Sequence, residues 1–185
     1  MKKFILFTCS LLTIFFSFPT CASAQTEPGF PVPEGNPKQL FYLQRSQNTN
    51  TIVYELNLKG KVPDSIAPVH IFWIRYAEQS QKQELTNIQR KYAYGLATKY
   101  VSKDHYELRF LASKKLVFQL IKGADQHFHV YHTINGKNTI LTSIYLQING
   151  GPVFSPHIDY VRFTGTDPET GKVVTEKKTV KAGEQ

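Results

Sequence analysis

Three of the six histidines in this chain stand close together in the stretch DQHFHVYH. Side chains alternate along a β-strand, so His127 and His129 share one face and His132 lies on the other. Two imidazoles at this spacing can reach one zinc ion, but a catalytic zinc site needs a third protein ligand. His157 and Asp159 alternate in the same way and supply that ligand only if their strand lies nearby. The sequence favours the alternative, an exposed strand face with His132 inward and hydrogen-bonded.

Two arginines stand on apolar strand faces. In LFYLQRS, alternation places Arg45 on the side of Phe41, and in VHIFWIRY it places Arg75 on the side of Trp73. A guanidinium in such a place must be paired, stack on an aromatic ring, or reach water at the end of its strand. The pattern therefore leaves two interpretations: arginines that extend to solvent, or an anchor for a carboxylate or another anion inside an apolar pocket.

Motifs of nucleophilic catalysis and phosphate binding do not occur in the sequence. It has no Gly-x-Ser-x-Gly elbow and no glycine-rich phosphate loop. Glu55 and Glu107 fall in predicted strands and are interpreted as solvated side chains. The sequence thus indicates no catalytic residue and no cofactor, and it favours a binding protein over an enzyme.

Short segments of alternating side chains dominate the chain after residue 38. VHIFWIRY is nearly all apolar or aromatic, which predicts a strand buried on both faces. Asn135-Gly136 separates two alternating segments and predicts a hairpin with a type I′ turn, because both central residues of that turn need positive φ. About nine strands, mostly linked by hairpins, predict a mostly β fold: an antiparallel curled sheet or barrel. A sandwich would show the same alternation.

One helix is predicted within this series of strands, over Ser80–Leu96. Leu85 and Ile88 begin an apolar stripe that continues at helical spacing. A capping box can start the helix at Ser80 or at Thr86, since each is followed three residues later by glutamine. The fold prediction is therefore a β-sheet with one inserted amphipathic helix.

The first 24 residues have the composition of a signal peptide. Lys2 and Lys3 precede an apolar run that is too short to span a bilayer comfortably. Ala22-Ser23-Ala24 then offers small residues at the positions that a signal peptidase reads, which places the cut between Ala24 and Gln25. We therefore expect an exported protein, periplasmic or secreted, without a transmembrane segment in the mature chain.

The two cysteines, Cys9 and Cys21, both precede the predicted cut. The mature chain is then cysteine-free and depends on a hydrophobic core instead of disulfides. A minor alternative is a lipoprotein anchored through Cys21. The predicted organisation after the signal peptide is a Pro-rich flexible arm at 25–37, a single β-rich domain at 38–181 and a polar tail at 182–185.

The charge of the chain is mildly basic, with 22 lysines and arginines against 14 acidic residues. The basic residues are scattered, which does not favour a nucleic-acid site, and the chain is expected to be exported. We expect no nucleic-acid partner, and a surface that faces anionic envelope components.

Four segments resemble the bacterial Domain-of-Unknown-Function 4833 family: LFYLQRSQNTNTIVYELN, PVHIFWIRY, LTNIQRKYAYGL and INGGPVFSPHIDYVRFTGTDPETGK. The most specific pieces are Arg45-Ser46 with Asn50, Trp73-Ile74-Arg75 and Ala93-Tyr94-Gly95. The resemblance covers roughly residues 39–174 and implies an envelope setting, and it implies no activity.

The leading hypothesis is an exported binding module for a small amphipathic or anionic ligand, whose acidic end meets the two arginines. The candidate ligand-binding residues are Arg45, Ser46, Asn50, Trp73, Arg75 and Tyr94. One alternative is an envelope structural or interaction protein, with a filled core and an exposed aromatic patch instead of a pocket. A second alternative is a metal-dependent hydrolase centred on His127 and His129.

Overall fold

The computed structural model describes residues 30–113, 115–152 and 155–180, which form a mostly β domain with one short helix. Between the strands lie a 3₁₀ turn at Tyr76–Glu78, the helix α1 at Asn87–Gln89 and a π-helical turn at Arg90–Tyr94. The strands in this part of the chain are β1 Gln39–Arg45, β2 Asn48–Leu56, β3 Leu58–Lys59, β4 Val62–Pro63, β5 Val69–Arg75, β6 Gln81–Glu84, β7 Leu96–Ser102, β8 His105–Phe110, β9 Val117–Lys122, β10 Phe128–Ile134, β11 Lys137–Ile148, β12 Ile158–Thr166 and β13 Val173–Thr179.

Several predictions at the two ends of the chain lie outside the described residues. They are the signal peptide at 1–24, its cleavage between Ala24 and Gln25, the alternative lipid anchor at Cys21 and the polar tail at 182–185.

The main sheet is a curled half-barrel that branches at β11. Its main path runs β6-β5-β2-β1-β11-β10-β9-β8-β7, and β12 and β13 extend it from β11. One edge of β11 pairs with β12 over residues 140–148. The opposite edge is divided, because residues 137–140 pair with β10 and residues 143–146 pair with β1. We call β1, β2, β5 and β6 the first wing, and β7–β10 the second wing.

The predicted curled β-sheet is confirmed, with one difference in strand direction. Every pair in the described residues is antiparallel except β1 with β11, which is parallel. Alternation of side chains specifies which face a residue occupies and not the direction of the neighbouring strand. The mixed sheet therefore could not be predicted from the pattern.

An aromatic core fills the space where the two wings face each other. Phe41 of β1 stacks on Tyr54 of β2 with ring centroids 4.2 Å apart, and both rings are almost completely buried. Phe118 of β9 lies 6.2 Å from Phe41 and 5.6 Å from Phe110 of β8. The contact between Phe41 and Phe118 joins the two wings through side chains, in addition to the backbone hydrogen bonds that β1 and β10 each make with β11.

The predicted hairpin between β10 and β11 is confirmed. Ile134 pairs with Lys137, and the two residues between them, Asn135 and Gly136, have φ of 50° and 74°. Positive φ at both central residues is the type I′ geometry that Asn-Gly favours. Local chemistry alone set this element.

The inserted helix is much shorter than the predicted span Ser80–Leu96. Gln79 and Ser80 have φ of 58° and 59°, a left-handed turn that sends the chain back along β5 as the edge strand β6. Helical structure begins only after Thr86 and ends at Tyr94. The predicted apolar stripe does not form a buried helix face, because Leu85 precedes the helical turns and Ile88 and Tyr92 are exposed. The first part of the span is an edge strand because the open edge of β5 offers hydrogen-bond partners. No helix in the described residues is long and apolar enough to cross a membrane.

The described part of the Pro-rich arm, residues 30–37, lies against the outer face of the sheet. Phe30 meets the edge of Tyr145 at 5.7 Å, and the side chain of Gln44 donates to the carbonyl oxygen of Pro31 at 2.8 Å. Pro33 is buried. This part of the arm has no strand or helix and is held by side-chain contacts.

Candidate functional site

A cleft of about 370 Å³ opens at one end of the first wing. The strands β1, β2 and β5 contribute residues to one side. The edge strand β6 and the helical segment, which comprises α1 and the π-helical turn at 87–94, close the other side. The lining residues are Arg45, Asn50, Trp73, Arg75, Gln83, Thr86, Ile88, Gln89, Ala93 and Tyr94.

Strand register explains why distant residues meet here. Ile52 of β2 pairs with Leu43 of β1 on one side and with Trp73 of β5 on the other. Alternate residues share a face, so the positions two residues further toward this end point the same way. Those positions are Arg45, Asn50 and Arg75, and a register shift between Leu43 and Arg45 pairs Arg45 with Asn48 at the end of the strand. The structure therefore brings together five of the six predicted ligand-binding residues, and their role in binding stays a prediction.

Ser46, the sixth, does not line the cleft. Its hydroxyl accepts from the backbone N–H of Ile148 at 2.9 Å and donates to the Ile148 carbonyl oxygen at 3.2 Å. It thus ties the end of β1 to the end of β11. Its position supports the strand that carries Arg45.

Arg45 lies against two aromatic rings, which meet edge to face with their centroids 5.2 Å apart. Its Cζ lies 5.0 Å from the ring centroid of Trp73 and 5.4 Å from that of Tyr94, and its Nη1 donates to the Tyr94 hydroxyl oxygen. Its Nε is buried and has no hydrogen-bond partner in the described part of the chain. No carboxylate among the described residues forms an ion pair with it. The positive charge is stabilised by ring faces and stays uncompensated.

Arg75 differs from Arg45 because its charge is compensated. Its Nη2 pairs with the carboxylate of Glu78, and its Nη1 donates to Oε1 of Gln83 at 2.9 Å. About a third of its side chain is exposed. Arg75 therefore forms the polar rim of the cleft, and Arg45 is the cation that a ligand can neutralise.

The helical segment positions Tyr94 by local interactions. Thr86 and Gln89 form the predicted capping box, in which the Gln89 side chain accepts from the Thr86 N–H at 2.9 Å. Gly95 closes the π-turn by donating to the Arg90 carbonyl oxygen at 3.0 Å. The backbone carbonyl oxygen of Tyr94 then accepts from the Tyr54 hydroxyl at 3.0 Å, which fixes the segment to the core.

Burial raises the pKa of the Tyr94 hydroxyl above its usual value, and the nearby Arg45 opposes this shift without cancelling it. Tyr94 is thus neutral at pH 7 and keeps its proton. Because the hydroxyl oxygen accepts from Arg45, the hydroxyl hydrogen is left to donate to a ligand atom. An anion in the cleft can therefore receive hydrogen bonds from both side chains.

Sequence reasoning did not identify half of the lining residues as site residues. Gln83 sits in what was predicted to be helix, and its contribution depends on the β5–β6 pairing. Ile88 and Ala93 were predicted to lie in the helix and were not among the candidate ligand-binding residues. Only the capping box pointed to Gln89, and it pointed to a structural role.

The histidine stretch does not form a metal centre in the described residues. His127 lies in the turn before β10 and is exposed, and His129 bonds through its Nε2 to Oδ2 of Asp125 at 2.7 Å. That hydrogen bond is the main cause that lowers the pKa of the Asp125 carboxyl. Within the described ranges there is no group of three or more His, Cys, Asp and Glu side chains that could hold a metal. Within the described residues, His127 and His129 therefore gain no third metal ligand.

His132 is half-buried between two rings, Phe118 at 4.8 Å and Phe163 at 4.9 Å. Its Nδ1 donates to the Val117 carbonyl oxygen at 3.2 Å, which assigns the proton of the neutral ring to Nδ1. Its Nε2 is buried and has no hydrogen-bond partner among the described residues. Burial is the largest cause that lowers the pKa of His132 below its usual value.

His132 is expected to make the protein less stable as the pH falls below its unfolded pKa of about 6.5. The unfolded state takes up the proton first, since the pKa in the folded state is lower, so the free energy of unfolding falls between about pH 6.5 and the folded pKa. The slope is at most about 1.4 kcal/mol per pH unit, that of one proton. Urea unfolding of wild type and His132→Phe from pH 7.5 to 5 measures it. An equal slope in both proteins contradicts the assignment.

Three comparisons with known proteins accompany this geometry. A family model described as a domain of unknown function, DUF4833, matches residues 41–177. No curated protein and no solved structure matches the chain.

Proposed function

The chain belongs to the DUF4833 family of domains of unknown function, and from the geometry of the cleft we propose that it binds a small amphipathic ligand with one negative charge. The observation that carries the proposal is the uncompensated guanidinium of Arg45, which lies against the rings of Trp73 and Tyr94 in a concave site. The volume of this cleft is within the range of small-molecule sites, and six of its ten lining residues are polar or charged, so a ligand there must offer polar groups as well as an apolar part.

The charge of the cleft indicates a monoanion. Its lining contains two cations, Arg45 and Arg75, and the second is already paired with Glu78. One net positive charge matches a carboxylate, and a doubly charged phosphate would keep one charge unpaired in a partly buried site. The guanidinium and a carboxylate also share the geometry for two parallel hydrogen bonds.

An apolar part of the ligand has a surface to rest on. Ile88 lines the cleft and is 56 % exposed, and Ala93 lies beside it. Burial of apolar ligand surface there contributes roughly 25 cal/mol per Å². The alternative of an interaction protein without a pocket predicts a filled core and an exposed aromatic patch. The core between the wings is filled, as that alternative predicts, and the cleft at the end of the first wing is the feature that favours a binding domain.

We also propose that the domain acts outside the cytoplasm, periplasmic or secreted. The support is the signal-peptide composition of residues 1–24. Intact mass of the protein recovered from its native cells tests this: a mature chain that starts at Gln25 is expected, and a chain that retains its first residues contradicts it.

Ligand binding is expected to depend on the carboxylate and on Arg45. Trp73 is the only tryptophan in the chain and lies in the cleft, so its fluorescence reports occupancy directly. Titration with octanoate and with neutral octanamide compares two ligands that have the same alkyl chain, one with a negative charge and one without. We expect octanoate to bind about 10 to 100 times more tightly, as a charge-assisted hydrogen-bonded pair contributes roughly 1.5–3 kcal/mol.

Matched variants assign this effect to one side chain. Arg45→Met keeps the length of the side chain and is expected to remove the preference for octanoate. Lys91→Gln is the control, because Lys91 is an exposed cation on the π-turn that does not line the cleft. It is expected to change affinity less than about twofold, because exposed charges are screened. An equal loss in both variants, or no binding by wild type, contradicts the proposal.

A further inference from the structure

Besides Arg45, two other side chains of the cleft have a polar atom without a hydrogen-bond partner in the residues that the structure describes. Oδ1 of Asn50 is buried and makes no hydrogen bond in the described part of the chain. A buried acceptor without a donor costs roughly 1–3 kcal/mol. Asn50 lines the cleft and is only half-buried, and the terminal torsion of an asparagine turns easily, so Oδ1 can meet a donor on a ligand.

Gln89 offers the complementary group. Its Oε1 accepts from the Thr86 N–H at 2.9 Å and from the Trp73 indole N–H at 3.4 Å. These two donors fix the orientation of the side-chain amide. Its Nε2 makes no hydrogen bond within the described residues and is the polar atom that Gln89 has left for a ligand in the cleft.

From these three side chains we infer that the ligand is an α-amido carboxylate, the chemistry of an N-acyl amino acid and of a peptide carboxyl terminus. Its carboxylate meets Arg45, its amide N–H donates to Oδ1 of Asn50, and its amide carbonyl oxygen accepts from Nε2 of Gln89. This inference rests on the proposed function. An amide fits better than a hydroxyl group because its donor and its acceptor are separate atoms that point in opposite directions, whereas a hydroxyl group offers both from one oxygen atom.

Replacement of one atom in the ligand tests the amide contact. N-octanoylglycine and its ester analogue octanoyloxyacetate have the same carboxylate and the same alkyl chain. They differ only in that the amide N–H of the first is an ester oxygen in the second. Trp73 fluorescence of the full mature chain measures both dissociation constants. We expect wild type to bind the amide about tenfold more tightly, because the ester leaves Asn50 without its donor.

The variant Asn50→Leu has a similar volume and no polar atom. It is expected to bind the amide and the ester equally, while the dependence of both on Arg45 persists. A third probe, the tripeptide Ala-Ala-Gly, distinguishes the two sources of this chemistry. Tighter binding of N-octanoylglycine indicates an acyl amino acid, and tighter binding of the tripeptide indicates a peptide terminus.

The outcomes separate this inference from the proposed function. Equal binding of amide and ester by wild type, with both lost in Arg45→Met, overturns the α-amido ligand and leaves the anion site intact. Absence of binding by octanoate, amide and ester alike overturns both. The wild-type comparison needs no variant, so a failure of Asn50→Leu to fold leaves the test valid.

Discussion

A Gly95→Ala variant is expected to lose about 3–5 kcal/mol of unfolding free energy together with the cleft. Gly95 has φ of −67°, so its backbone conformation suits any residue. The reason is space: an added Cβ would overlap the Arg90 carbonyl oxygen and lie 2.9 Å from the Arg90 carbonyl carbon. The π-turn must open to relieve this contact.

Opening of the π-turn is expected to affect both the hydrophobic core and the cleft. When the turn opens, the Tyr94 carbonyl oxygen moves away from the buried Tyr54 hydroxyl, which is left without its acceptor. The Tyr94 ring also leaves Arg45. Urea unfolding, followed by far-ultraviolet circular dichroism, measures the stability, and the octanoate titration measures the site.

Gly35→Ala is the matched control for this substitution. No atom lies within 4 Å of a Cβ built on Gly35, and its φ is not positive. Alanine there restricts the unfolded chain and is expected to change stability by less than about 1 kcal/mol, in the stabilising direction. If Gly95→Ala unfolds at the same urea concentration as Gly35→Ala, the π-turn is not the rigid support inferred here.

A Phe118→Ala variant is expected to lose about 3–5 kcal/mol, because it removes a fully buried ring between the wings. Phe118 on the second wing contacts Phe41 on the first, and it also packs on His132. Its loss leaves a cavity at the side-chain contact between the two wings, which also share β11. The expected result is a lower unfolding midpoint without a change in strand content.

Tyr100→Ala serves as its control. Tyr100 is also an aromatic residue on a strand of the second wing, and it is 60 % exposed. Its truncation is expected to change stability by about 0.5 kcal/mol or less. Urea unfolding of the two variants side by side measures the difference, and equal losses contradict the role of Phe118 as the contact between wings.

The sequence predicted correctly those elements that depend on residues close together in the chain. Asn135-Gly136 set the type I′ hairpin, and Thr86 with Gln89 set the capping box. The same reasoning failed over residues 80–86. There the helical spacing of apolar residues was outweighed by the hydrogen bonds that the edge of β5 offers to β6.

The sequence by itself determined that Arg45 and Arg75 stand on apolar strand faces, because alternation fixes the face of every residue in a strand. Only the tertiary structure decided what each arginine meets. The turn after β5 brings Glu78 to Arg75, whereas Arg45 receives two rings and no carboxylate within the described residues. Neighbours across a sheet come from distant parts of the chain, and their identity depends on strand order and register, which alternation does not encode.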